Sequence, residues 1–74
     1  MAMKRSIGLN AAFDIMRTGK RYRLVNFGDT YEFEVLNILD NGDFVLKTLD
    51  TLEEFMLSEI IDFGVSKDFS FEEL

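Results

Sequence analysis

Thr30-Tyr31-Glu32-Phe33-Glu34-Val35-Leu36-Asn37-Ile38-Leu39-Asp40-Asn41-Gly42-Asp43-Phe44-Val45-Leu46-Lys47-Thr48 is the stretch whose reading decides the fold. Apolar residues recur at alternate positions on both sides of the central polar tetrapeptide, the period of a strand whose side chains point to opposite faces in turn. Asn-Gly between two such runs is the strongest short-range hairpin signal, because both residues tolerate the positive φ of a tight turn. With Asn41-Gly42 as a two-residue loop, Leu39 is expected opposite Phe44, Asn37 opposite Leu46 and Val35 opposite Thr48. Ile38 then faces Val45 on the other side.

Working outward, residues 20–27 form a second alternating run, separated from Thr30 by Gly28-Asp29. A hairpin closed on that pair sets Leu24 opposite Phe33, Tyr22 opposite Val35 and Asn26 opposite Tyr31. Arg23 is then opposite Glu34 on the reverse face, an opposite-charge pair of the kind that stabilises antiparallel neighbours. A slip by one residue would turn every apolar side chain outward, so the agreement supports the three-stranded meander. Its inner face reads Tyr22, Leu24, Tyr31, Phe33, Val35, Leu39, Phe44 and Leu46.

Beyond Thr48, residues 51–57 fit a strand by alternation and a helix by the three-and-four spacing of Leu52, Phe55, Met56 and Ile60. The reading adopted is a strand to about Leu57, a helical turn through Ser58-Glu59-Ile60-Ile61, a break at Gly64 and a last strand over 68–72. Phe69 and Phe71 share a face of that strand. Residues 1–18 read either as a short helix from Asn10 to Arg17, with Leu9, Phe13 and Met16 on one stripe, or as an arm anchored by Phe13. The expected fold is mainly β: a small five-stranded SH3-like barrel over 19–74, with a short helical turn before the last strand and an N-terminal helix or arm.

The chain has 74 residues, enough for one domain with a core near the lower size limit. It has no cysteine and no histidine, so disulfides and Cys/His zinc sites are excluded and the usual nucleophiles and bases are missing. Eight phenylalanines and two tyrosines compensate by supplying large buried surfaces. The reading is a non-catalytic protein without a cofactor. No export signal or apolar run of membrane-spanning length is visible, and the cytoplasm is the expected compartment.

Gly19, Tyr22, Asn26-x-Gly28, Phe33-x-Val35, Thr51-Leu52-Glu53-Glu54-Phe55, Gly64 and Asp68-Phe69 with Glu72-x-Leu74 resemble the pattern of an uncharacterised family of short bacterial proteins. The resemblance covers roughly residues 18–74 and imports no chemistry. In shape it is similar to SH3-like and Tudor-like small β-barrels, which implies a fold and leaves function to the surface.

That surface is asymmetric in charge. Residues 1–25 carry six basic and one acidic side chain, residues 26–74 two basic and thirteen acidic, for a net charge of −6. An acidic body repels phosphates, so nucleic acid is an unfavoured partner; Lys4, Arg5, Arg17, Lys20 and Arg21 are the arm that would contact it. Leu36, Ile38 and Val45 form an apolar patch where alternation calls for polar residues. Either the chain covers it or it meets another protein, a second copy included. Asp40 and Asp43 flank the hairpin loop, where turn chemistry outweighs cation binding. Tyr22, Tyr31, Phe33, Phe44 and Phe55 contain enough rings for a cation cage, but the core needs the same residues. The leading expectation is a protein-interaction module or small subunit; the alternative is a nucleic-acid-associated barrel that uses the basic arm.

Overall fold

The computed structural model describes residues 11–74. Five antiparallel strands form one sheet: β1 (Arg21–Asn26), β2 (Asp29–Ile38), β3 (Phe44–Thr48), β4 (Glu54–Met56) and β5 (Ser70–Glu73). Their spatial order is β4-β3-β2-β1-β5, so β4 and β5 are the two edges of an open sheet. A 3-10 helix (Ala11–Ile15) precedes the sheet, and a single-turn helix α1 (Leu57–Ile60) joins β4 to the segment before β5. Strand, helical turn and last strand therefore follow in the expected order, with different bounds: β4 begins at Glu54 rather than Thr51, the helical turn at Leu57 rather than Ser58, and β5 at Ser70 rather than Asp68.

The faces follow the alternation, but the register differs from expectation. Tyr22 pairs with Phe33, Arg23 with Glu32 and Leu24 with Tyr31, and Asn26 and Asp29 close the hairpin. The loop is thus Phe27-Gly28, two residues earlier along the pairing than Gly28-Asp29 implied. A shift of two leaves every side chain on its face, which is why the hydrophobic pattern alone does not detect it. Phe27 and Gly28 have φ of 51° and 78°, as a tight hairpin with positive φ at both central positions requires. Glycine suits that region; phenylalanine does not. Tertiary bonds hold it there, since Phe27 N–H donates to Ser66 Oγ at 2.8 Å and Gly28 N–H to Asp68 Oδ2 at 2.8 Å.

The second hairpin also departs from its simplest form. Val35 pairs with Leu46, but Asn37 pairs with Val45 and Ile38 with Phe44, so Leu36 is an extra residue in β2. Leu39 N–H donates to Asp43 O at 2.8 Å and Gly42 N–H to Leu39 O at 3.0 Å. The loop therefore has three residues, Asp40-Asn41-Gly42, and Gly42 takes φ 92°. The bulge restores the phase that the longer loop shifts, and it adds local bend and twist to the longest strand.

The inner face closes around Phe13, Met16, Tyr22, Leu24, Phe33, Val35, Phe44, Leu46 and Leu57. Each such side chain contributes about 1.5–3 kcal/mol by leaving water. Phe13 and Met16 are each 1% exposed, so the N-terminal segment is part of the core from Phe13 onward. Leu9 of the expected stripe lies outside the described residues. Phe69 and Phe71 both pack edge-on against Phe13, with centroids 5.9 and 5.7 Å away. Phe71 stacks on Tyr22 at 5.2 Å, Tyr22 leans on Phe33 at 6.2 Å, and Phe33 meets Phe55 edge-on at 6.2 Å. Tyr22 keeps its hydroxyl satisfied inside this core: it accepts from Arg17 N–H at 2.9 Å and donates to Ile15 O at 3.4 Å.

Candidate functional site: an acid-rimmed aromatic groove

The row of rings does not stop in the core. Beyond Phe55 it ends on Tyr31, with centroids 6.4 Å apart and planes inclined by 38°. Both rings are half-buried, and with Glu53, Glu54, Glu59 and Ile60 they line an open groove of about 660 Å³. Tyr31 comes from β2 and Phe55 from β4, strands separated by β3 in the sheet. Only the curl of the sheet brings them together, with Leu46 of β3 paired to Phe55 and its other neighbour Val35 two places from Phe33.

The two walls of the groove carry carboxylates. On the β4 side the carboxylate is that of Glu53, whose main chain is fixed by Thr48: Thr48 Oγ1 accepts Glu53 N–H at 2.9 Å and Thr48 N–H donates to Glu53 O at 2.9 Å. Glu54 alternates with Phe55 and pairs with Lys47, so its side chain is turned to the other face of the sheet. Glu59 projects from α1 opposite and accepts Met56 N–H on Oε2 at 2.9 Å, which ties the start of the helix. No lysine or arginine is among the lining residues. The Tyr31 hydroxyl is pushed above its ordinary value, first by burial and then by the Asp29 carboxylate, so it is a neutral donor at physiological pH. The chemistry available is attraction of a cation by carboxylates and ring faces together.

Of the five rings considered for a cage, Tyr22, Phe33 and Phe44 are buried core residues. Tyr31 and Phe55 are the pair left at the surface. What marks them in the sequence is an acidic neighbour, Glu32 beside Tyr31 and Glu54 beside Phe55, which is too common a feature to single them out.

The bulge divides the expected apolar patch. It sets Leu36 and Asn37 against Val45 and aligns Ile38 with Phe44. Leu36 and Val45 are half-buried, and Ile38 is exposed at 42%. A different apolar surface was not foreseen. Phe27, Phe63 and Val65 are exposed at 56%, 90% and 49%. They lie at the turn end of β1, where Asn26 Nδ2 donates to Ile60 O and Gly64 O at 3.1 and 3.0 Å and Oδ1 accepts Ser66 N–H at 2.8 Å.

The described arginines are all used within the fold. Arg17 donates to Asp14 O and Met16 O at 2.7 and 2.9 Å, closing the end of the 3-10 helix. Arg21 lies 3.6 Å from Glu34. Arg23 bridges Glu32 and Glu72 at 2.8 and 2.7 Å across three strands, in place of the expected pairing with Glu34. Lys20 is exposed, and its carbonyl accepts Val35 N–H at 3.0 Å. Lys4 and Arg5 lie outside the described residues.

Asp43 does not confront Asp40 across the loop. It is 7% exposed and turned toward α1, where it accepts from Ser58. Among the described residues no three acidic side chains are grouped as metal ligands, and no helix is long and apolar enough to cross a membrane. Comparison of the chain with protein-family models, with curated proteins and with solved structures finds no match.

Proposed function

We propose that the protein is a non-catalytic protein-interaction module that receives a basic, extended segment of a partner protein in the groove over Tyr31 and Phe55. The observation that carries this reading is the lining itself, two half-buried rings with the carboxylates of Glu53 and Glu59 beside them and no lysine or arginine among the lining residues. Carboxylates at the rim steer a basic chain and set its register, and the rings supply the contact surface. The same reading takes the architecture as an SH3-like small barrel. It is supported by the strand order, by the bulged ten-residue β2 shared between two halves of the sheet, and by the helical turn before β5.

The test is titration of the isotope-labelled protein with a nine-residue peptide of lysine, arginine, glycine and serine, followed by amide and ring chemical shifts. Shifts centred on Tyr31, Phe55 and Ile60, with affinity weakened about tenfold in the double variant Glu53→Gln/Glu59→Gln, are the expected result for two surface charges. Shifts centred elsewhere, or the same affinity for a peptide of serine and glycine alone, would sink the proposal.

A further inference from the structure

We infer that the groove selects arginine over lysine at the anchoring position of its basic ligand, an inference that rests on the function proposed above. The carboxylates come from two elements: Glu53 from the start of β4 and Glu59 from α1. Between them lies an aromatic floor whose rings are inclined by only 38°. A guanidinium is planar and has donors along two edges, so one group lies over a ring and reaches carboxylates on both sides. An ammonium is a compact, strongly hydrated point charge that satisfies one wall at a time and gains less from an aromatic surface. The carboxylates are also held in place: Glu59 by the Met56 N–H, and Glu53 by the Thr51 hydroxyl at 3.2 Å. Pre-positioned acceptors favour the ligand whose own donors are fixed in a plane, because less freedom is lost on pairing.

The experiment compares three labelled nonapeptides by fluorescence anisotropy, identical except that three positions are arginine, lysine or citrulline. Citrulline keeps the planar shape and removes the charge. Arginine binding about fivefold tighter than lysine, with citrulline not binding, is the expected order. Equal binding of the arginine and lysine peptides, both above citrulline, overturns the selectivity and leaves the basic-segment reading standing. No difference among the three overturns both. Tyr31→Leu and Glu53→Gln separate the contributions. The first should bring the arginine-to-lysine ratio toward one while lysine binding is kept, and the second should weaken both charged peptides together. A ratio unchanged in Tyr31→Leu overturns the inference, and the exposed Glu53 position guards against misreading a folding defect.

Discussion

Asp43 Oδ2 accepts the Ser58 hydroxyl at 2.7 Å while its Oδ1 accepts the Ser58 main-chain N–H at 3.1 Å, so a hairpin residue caps a helix fifteen positions along the chain. Met56, at the start of α1, has no oxygen with which to cap its own helix, and Asp43 supplies one from the neighbouring turn. The helix in turn carries Glu59 to the groove. Asp43→Ala should cost about 1–3 kcal/mol, because it strips buried donors of their acceptor. Ser58→Ala should cost about 1 kcal/mol, and the double variant less than the sum. Urea midpoints of the four proteins measure this, and additive losses would show that the two residues act separately.

Asn26 ties β1 to the 60–66 segment through three hydrogen bonds and is 1% exposed. Asn26→Ala should destabilise by about 3 kcal/mol, since two carbonyls and one N–H lose their partner at once. Asn26→Asp should be worse still, because a carboxylate oxygen would then face those carbonyls. Amide exchange at Ser66 is the local readout; if it stays as slow as in the parent protein, the latch is held by something else.

Phe27 occupies the left-handed region at φ 51° while more than half exposed, so its ring returns little for the strain. Phe27→Asn keeps the main-chain bond to Ser66 and places Asn-Gly in the turn, the pair that this geometry favours. The variant should be more stable by about 1 kcal/mol, a rise in Tm of about 4–8 °C for a domain of this size. A lower Tm would mean that the ring packs on the 60–66 segment more than its exposure indicates.

The carboxyl of Asp68 is held below its ordinary 3.8 chiefly by the Ser66 hydroxyl, against the opposing effect of burial, with the main-chain N–H groups of Gly28, Asp68 and Phe27 adding to the lowering. A carboxyl depressed on folding stabilises the native state fully above the unfolded value and loses that effect as pH falls through the lower folded one. The gap in urea midpoint between the parent and Asp68→Asn should therefore be constant well above pH 3.8 and narrow below it. A gap that does not change with pH would refute the assignment.

The alternation from Tyr22 to Leu46 was enough to order the three central strands and to place the side chains on their faces up to Val35; past the Leu36 bulge Ile38, not Leu39, is paired with Phe44. Register was less legible. Gly28-Asp29 has better turn propensity than Phe27-Gly28, and what reverses the preference is bonding from Ser66 and Asp68, about forty residues away. The Leu36 bulge likewise compensates a loop one residue longer than Asn41-Gly42 alone suggests. The groove was the least visible feature. Tyr31, Phe55 and Glu59 belong to three separate elements, two strands and a helical turn, and each taken alone reads as an ordinary core or surface residue. Asn26 reads from the sequence as a strand residue opposite Tyr31, and only the folded 60–66 segment makes it a latch.

The row of rings running from Phe69 through the core to Tyr31 also has an optical consequence. The chain has no tryptophan and two tyrosines, one sealed at the centre of the row and one at its open end. Tyr22 has its hydroxyl bonded to main chain and its ring stacked on Phe71, so its emission reports whether the molecule is folded. Tyr31 stands beside carboxylates in contact with solvent, so its emission reports what sits in the groove. The two substitutions Tyr22→Phe and Tyr31→Phe assign the signals, and unfolding and occupancy can then be followed in one unlabelled sample.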